Sequence, residues 1–297
     1  MARWGRVVTA MVTPFDDQGR LDVDGAVRLA RWLADHGNDG LVVTGTTGEA
    51  PVLTDDEKVE LWRAVSDAVT IPVIAGTGTY DTHHSIELTK RAESCGVAGI
   101  LAVTPYYNRP SQAGIAAHFS AVAGATALPV ILYDIPIRTG RKIAHGTMLR
   151  LAADVPNIVA VKDAAASPAD SAWLIAEVPP SFELYSGDDS QTLPFLAVGG
   201  VGVVSVAGHW CGVQMGEMIA AFTQGDVVKA REINARLLPS FAFESGDDNP
   251  NPIPAKAMLR LLGLPAGHCR PPHVETDGDA LTAAAKAIAT DLGLPLA

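Results

Sequence analysis

The sequence predicts an α/β chain folded as a (β/α)8 TIM barrel with a C-terminal helical appendage. Three observations predict it. Short apolar runs that read as strands alternate with segments that read as helices. The alternation recurs eight times in about 225 residues, which favours a closed barrel over a doubly wound sheet. From about Asp226 the strand-like runs stop and only helical segments follow. The expected division is a barrel over 1–225 and a helical region over 226–297.

In order, Val7–Thr13 is the first expected strand, ended by Pro14 and the turn Asp16-Asp17-Gln18-Gly19. A helix is expected over Asp22–His36, where Val23, Val27, Leu29, Ala30 and Leu33 make an apolar stripe and Gly37 ends it. Gly40–Thr44 is the second strand and runs into Gly45-Thr46-Thr47-Gly48-Glu49. Thr54 and Glu57 form a capping box for a helix reaching about Val69. Ile71–Gly76, Gly99–Thr104 and Pro129–Asp134 are the next strands, with helices expected over Thr82–Cys95, Gln112–Ala123 and Gly146–Ala153. The sixth strand starts after the turn Pro156-Asn157 and closes on Lys162. Ser167-Pro168-Ala169-Asp170 reads as a second capping box, with proline at the first helical position. Phe182–Gly187 is the seventh strand, Gln191–Val198 a helix and Gly202–Val206 the eighth strand. Beyond the barrel, Val227–Leu238, Pro254–Leu262 and Asp279–Leu292 are expected helices.

The chain's 297 residues are 48% hydrophobic and 19% charged, enough for a large core and contrary to disorder. A net charge of −11 argues against nucleic acid or an anionic membrane as partner. Cys95, Cys211 and Cys269 are odd in number and far apart, so no disulfide framework is expected. With no apolar signal core near the start and no run of eighteen apolar residues, a cytoplasmic location is the expectation.

Lys162 ends an apolar run that suits a strand covered on both faces. Lysine is seldom buried without a partner. Either its tip reaches solvent, or it is a desolvated amine able to attack a carbonyl. The other six lysines, at 58, 90, 142, 229, 256 and 286, are expected on polar helix faces or loops. Active sites of such barrels lie at the C-terminal ends of the strands. Those ends carry Thr46, Thr47, Tyr106, Tyr107, Tyr133, Lys162, Gly187 and Val204. Tyr133 lies one βα unit before Lys162, so the two side chains can meet in the barrel mouth. An amine beside a phenol and hydroxyls suits Schiff-base chemistry, which needs protons moved where water is scarce. Glycines 45, 48 and 187 would let backbone amides approach a small carboxylate.

Other motifs read as structural. Gly199-Gly200-Val201-Gly202 precedes a strand instead of following one, which argues against a nucleotide loop. His83, His84, His209, His268 and His273 lack metal-ligand spacing, so no metal is expected. Asp188-Asp189 is expected to brace a loop or cap the next helix.

Six segments in register resemble the dihydrodipicolinate synthase family: Gly45-Thr46-Thr47-Gly48-Glu49, Val103-Thr104-Pro105-Tyr106-Tyr107-Asn108, Tyr133-Asp134-Ile135-Pro136-Ile137-Arg138-Thr139-Gly140, Val161-Lys162-Asp163, Ser186-Gly187-Asp188-Asp189 and Gly202-Val203-Val204-Ser205-Val206. The resemblance extends through Asn249-Pro250-Asn251-Pro252-Ile253-Pro254. It implies that Lys162 takes pyruvate as a Schiff base and that no added cofactor is needed. It implies that Tyr133, Thr46 and Tyr107 relay protons, Tyr107 reaching in from a neighbouring subunit of a homotetramer. Thr47 and the Val204 backbone would hold the pyruvate carboxylate. Arg138 would clamp the carboxylate of aspartate semialdehyde, with the rigid two-pronged geometry only arginine offers. The wider superfamily also contains N-acetylneuraminate lyase and 2-keto-3-deoxy sugar-acid aldolases; Arg138 and the pair Tyr106-Tyr107 favour the synthase. A non-catalytic binding barrel has no need of a nucleophile. Lysine-inhibited members bind their effector at a dimer interface, where Pro51, Asp55, Lys58, Tyr80 and His84 stand in this chain. Lys58 would repel a lysine ammonium, so weak sensitivity or none is expected.

Overall fold

A computed structural model describes residues 2–244 and 246–297. Eight strands appear in chain order: β1 Val7–Ala10, β2 Gly40–Val43, β3 Val73–Gly76, β4 Gly99–Val103, β5 Val130–Asp134, β6 Ile158–Asp163, β7 Glu183–Ser186 and β8 Gly202–Ser205. Each pairs parallel with the next, and β8 closes onto β1 through Val8↔Val204. The expected TIM barrel is the architecture observed.

Side chains alternate across each strand, so every strand feeds two separate cores. The barrel interior holds Val8, Val42, Ile74, Leu101, Ile131, Tyr133, Ala160, Tyr185 and Val204. Trp4 plugs its N-terminal end, and its indole N–H donates to the Ala98 carbonyl at 3.3 Å. The outward residues pack on the helices as a larger cluster that includes Val7, Leu41, Ala75, Leu132 and Val161. Each such aliphatic side chain removed from water contributes about 1.5–3 kcal/mol. The same cluster takes in Leu237, Phe241, Met258, Leu259 and Ala285, so the C-terminal helices share the barrel's outer core.

Several boundaries differ from expectation. β1 stops at Ala10, three residues early, and the amide of Val12 donates to His209 Nε2 instead of a strand. The eighth barrel helix, which periodicity alone does not delimit, is Gly208–Thr223. Val227–Phe243 runs past the expected end with Pro239 inside it. Thr54 and Glu57 form the expected reciprocal capping box. Ser167 does not: its hydroxyl accepts from the Asp170 amide at 3.4 Å, with no return bond from Asp170. Aspartate is one methylene shorter than the glutamate such a box uses.

Candidate active site

β5 and β6 are in register at the barrel mouth, with Tyr133 opposite Lys162. Ala160 and Lys162 share the inward face because strand side chains repeat every second residue. The amine of Lys162 lies 4.3 Å from the centre of the Tyr133 ring. Lys162 is 5% exposed and Tyr133 is 4% exposed. The sixth strand thus carries a buried amine, and the strand runs one residue past the expected end at Lys162, to Asp163. Gly187, the residue after β7, explains its own identity: a Cβ there would sit 3.0 Å from Lys162 Cγ and 2.9 Å from Ala164 Cβ. Only a glycine leaves room for the lysine stem.

Tyr133 also lines a cavity of about 350 Å³, with Thr46, Tyr106, Ile135 and Arg138 among its other walls; Lys162 is not itself part of that lining. Arg138 sits on the short helix Pro136–Thr139, which the chain enters through Ile135 straight from β5. Tyr106 packs edge-on against Tyr80, ring centres 5.5 Å apart, and burial raises its phenol pKa. Val204 is buried in β8, facing the interior opposite Val8. Thr47 is buried, and its hydroxyl accepts from Asn251 Nδ2 at 3.0 Å.

The structure brings together Lys162, Tyr133 and Gly187, and gathers Tyr133, Thr46 and Arg138 around one cavity whose lining does not include Thr47, Val204 or Gly187. It leaves Tyr107 apart. Tyr107 is 92% exposed, has a left-handed backbone at φ +68°, and does not line the chain's own cavity.

Behind the reacting strands, Asp134 and Asp163 face outward at paired positions of β5 and β6. Asp163 accepts from the Ala165 amide and the Ser171 hydroxyl, each at 2.8 Å. Asp134 accepts from the Ile143 amide and has Lys142 3.6 Å away. Burial pushes the Asp134 carboxyl up to about 6. Asp189 braces the chain after β8, accepting from the amides of Val206 and Ala207 at 2.8 Å. Asp188 caps the short turn Asp189–Gln191. His209 is neutral: burial pushes it down to about 4, and its Nε2 accepts from Val12 while Nδ1 donates to Val206.

Two expectations about lysines fail. Lys58 and Lys256 do not ride on polar faces; both are buried. Lys58 lies in a group where Asp55 is 3.7 Å away and is itself held by His84 at 2.9 Å. Lys256 pairs with Glu49 at 2.7 Å, the two side chains being 0% and 1% exposed. Sequence reasoning also passes over Glu49 and Asn251. Their only signal is their place in the Gly-Thr-Thr-Gly-Glu and Asn-Pro-Asn-Pro motifs, which meet in space from opposite ends of the chain.

The fold and the buried amine at the end of its sixth strand define a barrel enzyme whose working face is the C-terminal mouth. The chain belongs to the Dihydrodipicolinate synthetase family, whose profile matches residues 3–291. It is 53% identical over 274 residues to the 4-hydroxy-tetrahydrodipicolinate synthase of Moorella thermoacetica, covering 92% of this chain and 93% of that one. It is 55% identical over 280 residues to the synthase of Acidothermus cellulolyticus, covering 94% and 89%. The dihydrodipicolinate synthase from Cyanidioschyzon merolae, solved with lysine bound, superposes with a TM-score of 0.96 at 43% identity, covering 99% of this chain and 100% of that one.

Proposed function

We propose that this chain is a 4-hydroxy-tetrahydrodipicolinate synthase, a lyase that condenses pyruvate with L-aspartate 4-semialdehyde in lysine and diaminopimelate biosynthesis. The observation that carries the reading is Lys162: a buried amine in register with Tyr133, which in turn lines a cavity with Thr46 and Arg138. The neutral amine of Lys162 attacks the pyruvate ketone. Water leaves to give a Schiff base, and loss of a methyl proton gives an enamine. The enamine carbon adds to the aldehyde, and the second substrate's own amine then closes the ring and releases Lys162. Each step moves a proton, and Tyr133 is the group placed to carry it.

The remaining roles follow the same reading. Thr46 and Tyr107 continue the relay. Thr47, the Val204 backbone and Gly187 seat pyruvate, and Arg138 takes the carboxylate of the semialdehyde. Exposure of Tyr107 supports its being lent to a neighbouring subunit, and with it a homotetramer built as a dimer of tight dimers. Among the described residues no helix is long and apolar enough to cross a membrane. The reading places the enzyme in the cytoplasm, working without an added cofactor or metal. Its barrel, 1–225, carries the reacting groups, and its helical region, 226–297, packs on the outer core.

Incubation with pyruvate, borohydride reduction and peptide mass analysis test it. The expected result is one reduced pyruvate adduct on Lys162, and consumption of aspartate semialdehyde when it is added. No adduct, or turnover only with N-acetylmannosamine or sugar aldehydes, overturns it.

A further inference from the structure

The loop Gly45-Thr46-Thr47-Gly48 lies between two non-glycine residues with left-handed backbones, Thr44 at φ +59° and Glu49 at φ +56°. Such residues persist where the surroundings over-determine them. Both are pinned. Thr44 Oγ1 accepts from the Trp62 indole at 2.8 Å, and its one proton is shared between the Val43 carbonyl at 2.7 Å and the Gly76 carbonyl at 3.0 Å. That anchor belongs to the barrel.

Glu49 is anchored from the opposite end of the sequence. One carboxylate oxygen meets Lys256 Nζ at 2.7 Å, and the other accepts from the Arg270 amide at 2.9 Å. Lys256 Nζ also donates to the His268 carbonyl at 3.0 Å and lies 4.2 Å from the centre of the Phe15 ring. Burial lowers the pKa of Lys256, and Glu49 opposes that. A third contact reaches the loop's interior: Asn251 Nδ2 donates to Thr47 Oγ1. With its oxygen accepting from Asn251, the Thr47 hydroxyl has its proton left to donate, the role a substrate carboxylate requires.

We propose that Lys256, through Glu49, and Asn251, through Thr47, are positioning residues that fix the pyruvate-carboxylate loop from the C-terminal region. The proposal deepens the pyruvate reading and rests on it. It makes the helical region part of the working enzyme: release of the strut leaves the nucleophile intact and loosens the seat of the substrate. The cost falls on pyruvate KM more than on kcat.

Single loss of Lys256 would strand the Glu49 charge in the interior, so the informative variant removes both charges at constant volume, Lys256→Met with Glu49→Gln. Full-length enzyme is compared with it by thermal unfolding, pyruvate kinetics and borohydride trapping. The expected result is a midpoint close to the parent's, pyruvate KM raised about tenfold and kcat lowered less than about threefold. A well-folded double variant with the parent's KM overturns the role of Lys256.

Asn251→Ala gives an independent arm that also decides the matter if the double variant does not fold. It is expected to raise pyruvate KM about tenfold alone and to add nothing in a Thr47→Val background. Effects that multiply fully overturn action through Thr47. Failure of the parent enzyme to trap pyruvate overturns the functional reading, whereas trapping by the parent with unchanged variants overturns the positioning alone.

Discussion

Lys162 and Lys256 are both buried lysines, one at the barrel mouth and one in the C-terminal region, and they are buried in opposite ways. Lys162 lies against the face of Tyr133, and among the described residues no carboxylate forms an ion pair with it. Lys256 is committed to Glu49 and to the His268 carbonyl. An amine fixed by a carboxylate serves as a strut, because its lone pair is protonated and its position set. An amine with no counter-charge holding it is freer to present that lone pair to a carbonyl. Burial alone therefore does not mark a nucleophile; the partner decides.

The comparison breaks first at Lys162. Lys162→Ala is expected to lower kcat by about 1,000-fold or more and to abolish the reduced adduct, since no other group can replace the bond it forms. Full activity in that variant would remove Lys162 from the chemistry. Lys256→Met is expected to act on the fold instead. It leaves a buried carboxylate without its counter-charge and should cost about 3–5 kcal/mol by denaturant unfolding, most of it recovered when Glu49→Gln is added.

The crowding at Lys162 can be probed directly. Gly187→Ala puts a methyl group against the lysine stem, at 3.0 Å. Overpacking of this kind costs about 1–3 kcal/mol, and displacement of the amine is expected to lower kcat by about 10–100-fold.

Charge behind the site gives a smaller effect with a defined sign. Asp134 has its carboxyl raised by burial to about 6, above the ordinary 3.8. The folded state therefore binds the proton more tightly than the unfolded one, and this group's contribution falls as pH rises from about 4 to 6. Asp134→Asn should remove that penalty and raise stability at pH 7.5 by about 1–3 kcal/mol, leaving acid stability little changed. The buried histidines run the other way. His118 and His209 are held at about 4, below the ordinary 6.5, so their contribution is lost as pH falls from about 6.5 to 4. Urea titrations at pH 4.5, 6 and 7.5 separate the two trends.

The last prediction concerns a third buried lysine. Lys58 stands 3.7 Å from Asp55, which His84 also holds, and on the family resemblance these residues would line an effector pocket where Lys58 repels a lysine ammonium. Half-inhibition by L-lysine is expected only well above the millimolar range; sub-millimolar inhibition would refute it.

Much of this enzyme was legible before its structure. The apolar runs in 40–43, 73–76 and 99–103 predict strands because a closed parallel sheet is buried on both faces, one by the barrel interior and one by the helices. Thr54 and Glu57 predict their helix start because a cap is a local, three-residue interaction. Lys162 and Tyr133 were found by asking what ends a strand, a question periodicity answers, whereas Arg138 was named only by the family resemblance. Lys256 was misread for the matching reason. Helical pattern places it on Ile253–Leu261 but says nothing of Glu49, 207 positions away in the sequence.

The sequence by itself determined the barrel, the strand that carries the amine and the groups at the strand ends, because those depend on periods of two and 3.6 residues and on local caps. Tertiary structure alone decided that Gly187 must yield space to Lys162, that Tyr107 stays exposed and out of its own chain's cavity, and that Glu49 and Thr47 are held from the far end of the molecule. Each of these is a contact between segments that no local rule brings together, set by where the closed barrel and its C-terminal helices place them.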